Sequence, residues 1–331
     1  MVDILFIKTS SLGDVVHHMP AVTDARRRLP KARLVWVVEE AFAPLVGLHP
    51  GVDAIVPVAW RRWRKRLGQG ETWREIAGFS RRLRAEQYDA VVDTQGLMRT
   101  AVITRLARGV RHGYDTGSIK ERLASAAYDV RHAVSRDLHA VERNRRLTAL
   151  ALGYEIAGDA DYGLDRATLA DSSAATLASA TLAVPARGGP YAVLLHATAR
   201  PEKEWPEADW VALGKTLSAR GIALVLPWGT PREKERAERL AGALPGATVP
   251  DRKPLDEVAR LIAGASLVVG VDTGLLHLAA ALGVPLVSIF VGSRPTLTGP
   301  TGSGPIATLG GHGERCPLGD VLGAVERVLP A

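Results

Sequence analysis

The sequence predicts an α/β protein built from two doubly wound parallel sheets. Three observations lead there. Short apolar runs rich in Val, Ile and Leu alternate with segments of helical periodicity, the pattern of a parallel sheet wrapped by helices. Polar motifs fall where the apolar runs end. The length, 331 residues, is enough for two ordinary domains.

In the first half, the spacing predicts a strand over 3–8, a helix over 14–28 and a strand over 33–38, followed by a short apolar run over 54–58. A basic helical stretch over 74–86, a strand over 90–93, a helix over 99–106 and a helical segment over 139–152 follow. Residues 157–189 change in character, from GDADYG through an Ala/Ser/Thr-rich run, partly helical over 167–180, to PARGGP. Domains are accordingly expected over 1–165 and 189–331, joined by a connection over 166–188. The second half restarts with a strand over 191–196, then a helix over 207–220, a strand over 223–227 and helices over 232–243 and 255–263. Its most informative stretch is VVGVDTGLLHLAAALGVPLVSIF. This reads as a strand over 266–271, a polar turn at Asp272-Thr273-Gly274, a helix over 275–282 and a strand over 285–290. A last helix is expected over 321–329. Residues 273–293 contain no Asp, Glu, Lys or Arg and match a membrane helix in length. Gly283 and Pro285 divide that span and its second half is β-branched, so helix plus strand is the better reading.

Composition narrows the classes. The hydrophobic fraction of 47% is ample for buried cores, and the single cysteine, Cys316, excludes an internal disulfide and a Cys-based zinc site. The opening MVDILFIKTSS has too short an apolar run and no basic lead-in for a signal peptide, so a cytosolic location is expected. Between Arg61 and Arg84 stand nine basic residues against Glu71 and Glu75, which accounts for the whole net charge of +7. A patch so concentrated implies a locally anionic partner. The segment RRWRK (Arg61, Arg62, Trp63, Arg64, Lys65), with Trp60 and Trp73 nearby, reads as a recognition surface more than a solvated face.

Ligands of open α/β sheets bind beyond the carboxyl ends of the strands. Residues 8–14, 39–40, 93–96, 196–203, 228–233 and 272–277 all fall there, so two domains facing a central cleft would gather them into a two-substrate site. At 272–277 a strand opens abruptly into a helix, which leaves backbone N–H groups and the helix dipole for an anion. Thr273 adds a hydroxyl, Gly274 permits close approach, and His277 returns to the same helical face. The ordinary alternative is a capping Asp272 and a core histidine. Asp14 either completes a helix start or acts as general base, with His17 as the competing base. Glu233 either caps its helix or accepts hydrogen bonds from ribose hydroxyls. Neither G-x-G-x-x-G after the first strand nor a P-loop is present, and Asp159-Ala160-Asp161 reads as a solvated loop, so no metal and no cofactor are expected. Lys203 and the helix start at Thr273-Gly274 could then carry the charge of a departing diphosphate.

Taken together, KTSSLGDVVH, WVVEE, RRWRK, DTQGL, HAVERN, HATARPEKEWP, LPWGTPREKERAERLA and VDTGLLHLAAALG resemble, in order along nearly the whole chain, the lipopolysaccharide heptosyltransferases of glycosyltransferase family 9. The resemblance implies a GT-B fold of two Rossmann-like domains and inverting, metal-independent transfer of heptose from ADP-heptose to the inner Kdo of Kdo-lipid A. It implies an enzyme on the cytoplasmic face of the inner membrane, in contact with an anionic lipid surface and with no nucleic acid. By position, Asp14 is similar to the catalytic base. Thr198, Ala199 and Lys203 match the diphosphate side, Glu233 the ribose contact and Lys253 the adenine pocket. Asp272, Thr273, Gly274 and His277 match the donor turn. Ser10, Gly13, Arg61, Arg62, Arg64, Lys65 and Lys120 match the acceptor side. Rival readings are the enzyme that adds the second heptose, a nucleotide-sugar epimerase or hydrolase of similar fold, and a nucleic-acid or membrane binding protein.

Overall fold

The computed structural model describes residues 2–171, 189–198, 201, 204–291, 295–311, 313–314 and 316–329. The chain divides into two compact units, Met1–Gly163 and Leu164–Ala331.

In the first unit, β1 (Asp3–Ile7) leads into α1 (Leu12–Val16) and α2 (Met19–Arg28). The single helix expected over 14–28 is thus two. Pro20 stands in the first turn of α2 and has no N–H to offer the Val16 carbonyl, so the chain restarts its helix at Met19. Next come β2 (Arg33–Glu39), α3 (Ala43–Val46), β3 (Ala54–Val58), the short α4 (Trp60–Trp63) and α5 (Gly70–Ala85). They are followed by β4 (Gln87–Asp93), α6 (Met98–Leu106), β5 (Arg108–Tyr114), β6 (Val130–His132) and α7 (Ala140–Leu152). The six strands form one parallel sheet in the order β3-β2-β1-β4-β5-β6. Chain order reverses between β1 and β4, and the loops after these two strands open on that point. β1 and β2 are buried on both faces, which is why they read as unbroken apolar runs. β5 and β6 were not anticipated. Their segments, RGVRHGY and VRH, lie at the sheet edge and carry charge and glycine where central strands carry Val and Ile.

The second unit contains β7 (Tyr191–Leu195), α8 (Glu207–Ala219), β8 (Ala223–Val225), α9 (Pro231–Gly242), α10 (Leu255–Ala263) and β9 (Leu267–Val271). It ends with α11 (Gly274–Ala281), β10 (Leu286–Phe290), β11 (Ile306–Gly310) and α12 (Leu318–Val328). All pairings are parallel, in the order β11-β10-β9-β7-β8. Here the reversal lies between β7 and β9, the strands that precede 196–203 and 272–277. Gly270 is fixed by that pairing, because a Cβ there would come within 2.7 Å of the Leu195 Cβ. The edge strand β11 is the element missed in this half. Leu164 opens the unit, residues 166–171 are helical, and Arg166 fastens them by donating to the carbonyls of Ala263, Ala265 and Gly283 at 3.0–3.1 Å. The rest of the expected connection, 172–188, lies outside the described residues. Among the described residues no helix is long and apolar enough to cross a membrane.

Candidate active site

In the first unit the loop from Lys8 to Ser11 leaves β1 at the sheet's point of reversal and delivers Asp14 in the first turn of α1. Asp14 Oδ2 accepts from the Ser11 backbone N–H at 2.6 Å and from the Ser11 hydroxyl at 2.9 Å. The helix-start role weighed for this residue is therefore real, and it uses one carboxylate oxygen. Oδ1 has no partner among the described residues.

The loop is held by Gln95, which leaves β4 on the other side of the reversal. Its Oε1 accepts from Thr9 N–H at 2.7 Å, the Thr9 hydroxyl at 3.0 Å and Ser10 N–H at 3.2 Å, while its Nε2 donates to the Ser10 carbonyl. Gln95 is set in turn by Asp93, whose Oδ1 accepts from the N–H of Gln95 and Gly96 and whose Oδ2 accepts from the Tyr128 hydroxyl at 2.9 Å. Burial pushes the Asp93 carboxyl above its ordinary range, against those hydrogen bonds, and pushes the Tyr128 phenol up as well. Lys8 is buried. Its Nζ donates to the Thr94 carbonyl at 3.0 Å and to Asn144 Oδ1 at 3.2 Å, and Asn144 ties back to the His17 carbonyl at 3.0 Å. Burial lowers the Lys8 ammonium, an effect that Asp14 and Asp93 oppose. Arg99 donates to the Ser10 hydroxyl at 2.9 Å, and Arg143 lies over the Tyr114 ring at 4.7 Å. Arg99 and Arg143 thus bring guanidinium groups to the Asp14 loop, while the buried Lys8 braces it from within.

Of the acceptor-side residues expected, Ser10 and Gly13 are in this loop region and Lys120 is exposed on a loop after β5. The basic segment forms α4 and the turn after it. Arg62 differs from its neighbours: Glu75 grips it through both oxygens at 2.8 Å and Glu40 pairs with it at 3.0 Å. Those two carboxylates raise the guanidinium's pKa above its ordinary value, and Arg62 braces α4 instead of offering free charge. The Arg61 backbone N–H is received by Glu39 at 3.0 Å and its guanidinium covers the Phe42 ring at 4.9 Å. Arg64 and Lys65 have no carboxylate within ion-pair distance among the described residues.

In the second unit the two loops at the reversal hold most of the donor-side residues expected. Thr198 is buried after β7, and its carbonyl accepts from Arg232 at 3.4 Å. Ala199 and Lys203 lie outside the described residues. Arg236, on α9, crosses under this loop. Its Nε donates to the His196 carbonyl at 3.2 Å, and its remaining nitrogens reach the Trp205 carbonyl and Glu207 at 2.7 and 3.0 Å. Burial, with Arg236 close by, lowers the enclosed His196 to about 4. After β9, Thr273 is the N-cap of α11 in an extended conformation, and its hydroxyl does not cap the helix. Gly274 begins α11 and His277 is buried within it. Glu233 repeats the pattern of Asp14: Oε2 accepts from Gly229 N–H at 2.7 Å and Thr230 N–H at 3.3 Å, and the Thr230 hydroxyl answers by accepting from Glu233 N–H. Among the described residues Oε1 has no partner. Lys253 pairs with Glu257 at 3.3 Å. Among the described residues no three metal-ligating side chains converge.

Sequence reasoning missed the supports of these groups: Gln95, Arg99, Arg143 and Arg236. The first, third and fourth lie in DTQGL, HAVERN and LPWGTPREKERAERLA, segments whose positions were noted without a role for those side chains.

The profile of glycosyltransferase family 9 (heptosyltransferase) matches residues 76–314. Lipopolysaccharide heptosyltransferase 1 of Pseudomonas aeruginosa is 45% identical over 301 residues, covering 90% of this chain and 81% of that one. The enzyme of the same name from Escherichia coli K12 is 44% identical over 298 residues, covering 89% and 90%. The solved structure of E. coli heptosyltransferase WaaC with ADP superposes with a TM-score of 0.87 at 40% identity, covering 98% of this chain and 99% of that one. The architecture is thus GT-B, as two α/β units with these strand orders suggested. The chain belongs to glycosyltransferase family 9, the heptosyltransferase family.

Proposed function

We propose that this chain transfers L-glycero-D-manno-heptose from ADP-heptose to the inner Kdo of Kdo-lipid A, with inversion, in lipopolysaccharide inner-core synthesis. What carries the reading is the near-full-length identity to lipopolysaccharide heptosyltransferase 1. Two geometric observations support it: Asp14 keeps one carboxylate oxygen unpartnered among the described residues on a braced loop, and Thr198, Thr273, Gly274 and His277 follow the two strands at the second sheet's reversal.

In this mechanism Asp14 Oδ1 takes the proton of the acceptor hydroxyl as that oxygen attacks the anomeric carbon. The bond from that carbon to the diphosphate oxygen breaks, and ADP leaves. One displacement needs one base and one stabilised leaving group, through a transition state of oxocarbenium character. Amides at the start of α11, the Thr273 hydroxyl and Lys203 receive the diphosphate charge. Glu233 Oε1 takes ribose hydroxyls, and the backbone near Lys253 lines the adenine. Arg61, Arg64, Lys65 and Lys120 meet the phosphates and carboxylates of the acceptor, with Arg62 holding α4 beneath them. A lipid acceptor and this patch together support peripheral work at the cytoplasmic face of the inner membrane.

The test is ADP release measured with Kdo-lipid A, with an acceptor already bearing the first heptose, and with none. Release that needs Kdo-lipid A is expected. Equal release without acceptor would replace transfer by hydrolysis or epimerisation, and preference for the heptosylated acceptor would make this the second enzyme of the series.

A further inference from the structure

In the second unit, α9 carries a row of arginines to which the transfer chemistry gives no task. Arg232, Arg236 and Arg239 have the spacing that places side chains on one side of a helix. Arg236 is the buried member. Its Nε donates to the His196 carbonyl at 3.2 Å and its Nη2 to the Trp205 carbonyl at 2.7 Å. His196 directly follows β7 and Trp205 stands just before α8, so one guanidinium holds both ends of the loop between them. Its Nη1 pairs with Glu204 at 3.2 Å and with Glu207 at 3.0 Å, which engages every nitrogen of the group. The neighbours extend the pattern. Arg232 pairs with Glu204 and donates to the Thr198 carbonyl at 3.4 Å, and Arg239 pairs with Glu207 at 2.8 Å.

Stability alone does not call for this network. A buried guanidinium must be matched in charge and hydrogen bonding, and Glu204, whose side chain is 9% exposed, is buried with it for that purpose. Apolar side chains of similar volume commonly join two elements as well or better. What the guanidinium adds is a fixed register, because its donors lie in one rigid plane and accept only one placement of their partners. The two elements so joined are the ones that meet the donor in the reading above. The loop carries Thr198 on the diphosphate side, and α9 carries Glu233 on the ribose side. Glu233 is already set by its own bonds to Gly229 and Thr230. The ends of the loop take their position from α9.

We propose that Arg236, assisted by Arg232, is a positioning residue for the donor: it fixes Thr198 and the ends of its loop against α9, so that the diphosphate and ribose contacts keep one spacing. The inference rests on the reading of this unit as the ADP-heptose site, and adds to it a group that touches no part of the donor. Lysine is no substitute, because a single ammonium cannot reach the carbonyls at both ends of the loop and two carboxylates at once. Loss of Arg236 leaves Glu233 on its helix and releases the loop. The diphosphate part of binding should therefore weaken while the nucleoside part is spared.

The experiment measures binding of ADP and of adenosine to the full chain by isothermal titration, with thermal unfolding recorded for each variant. Wild type is expected to bind ADP more tightly than adenosine. Arg236→Lys should weaken ADP about tenfold, roughly what one hydrogen bond to a charged group contributes, and leave adenosine within about twofold. Arg232→Ala, at a half-exposed side chain, should weaken ADP about threefold and likewise spare adenosine. ADP bound by Arg236→Lys as tightly as by wild type would overturn the proposal. So would a loss shared equally by ADP and adenosine, which is the mark of a generally loosened unit. Should Arg236→Lys fail to fold, Arg232→Ala decides, and wild-type ADP affinity in that variant overturns the proposal. Wild type that binds ADP no more tightly than adenosine would remove the diphosphate reading itself, and this inference with it. The first failure is read from the variants and the second from wild type, so the two are separate results.

Discussion

Gln95→Leu tests the idea that the Asp14 loop is positioned from across the sheet. The substitution keeps the approximate volume and removes one acceptor that receives three hydrogen bonds and one donor that reaches Ser10. Thr9 and Ser10 are 2% and 8% exposed, so their two amide N–H groups lose their acceptor where water enters poorly. Each orphaned buried donor costs on the order of 1–3 kcal/mol. Some relief by loop movement is expected, so a net loss of about 2–4 kcal/mol in the first unit is the working figure. That same movement is what catalysis should register, because displacing a reacting group by about 1 Å costs roughly a hundredfold in rate. The assay is single-turnover heptose transfer with both substrates saturating, so that product release does not hide the step, alongside urea denaturation. Turnover should fall between about tenfold and a hundredfold while ADP-heptose affinity holds, since the residues proposed to bind the donor belong to the other unit. A variant destabilised as stated but turning over within about twofold of wild type would refute the positioning argument.

Four further outcomes follow from the same geometry. Asp14→Asn should leave ADP-heptose binding intact and lower turnover by about a hundredfold or more, measured by isothermal titration and single turnover. Asp24→Ala strips the partner, at 2.7 Å, from Arg145, whose side chain is 5% exposed, and should cost the first unit about 3–5 kcal/mol by calorimetry, largely restored in Asp24→Leu/Arg145→Met. His49 is held to about 4 by burial, with Gly51 N–H donating to Nδ1 and Thr23 lying 3.0 Å from Nε2. The unfolded chain therefore binds the extra proton first, so stability is full above about pH 6.5 and lost as pH falls toward 4, by roughly 3 kcal/mol for this group; His49→Gln should flatten that part of the profile. Arg64→Ala should raise the acceptor KM and leave the donor KM alone, while Arg62→Ala should show its effect as a looser α4 in hydrogen exchange.

Much of the fold was legible because its signals are local. The helix predicted over 255–263 became α10 at those residues, the short apolar run at 54–58 proved to be β3, and the strand-turn-helix at 267–281 needed only its own apolar block and polar turn. What escaped was set by distance. β5, β6 and β11 are strands by virtue of the neighbour they pair with, and their own residues do not insist on it. The break at His17-His18 was readable from Pro20 and was overridden by the periodicity on either side. The same division runs through the site. Asp14 and Thr273 stand out because each follows a strand and opens a helix. Gln95 braces a loop 85 residues away, and Arg236 one 40 residues away, and no spacing rule links partners so distant.

For Asp14 and Glu233 the sequence left two roles open, helix-start carboxylate or ligand contact, and the geometry shows the first while leaving room for the second. Each carboxylate holds its own helix start through one oxygen, Oδ2 or Oε2, and keeps the other unpartnered among the described residues. Two backbone or hydroxyl donors on one oxygen fix the plane of the group, so the second oxygen is aimed without a further residue to aim it. The two roles are separable by chemistry. Asn in place of Asp14 retains an acceptor for Ser11 and loses the base, whereas Ala loses both. Turnover should therefore collapse alike in the two variants, while only Ala should lower stability, by about 0.5–1.5 kcal/mol for each hydrogen bond lost. If Asn turned over like wild type while Ala did not, capping alone would explain Asp14, and the base would have to be sought elsewhere, first at His17.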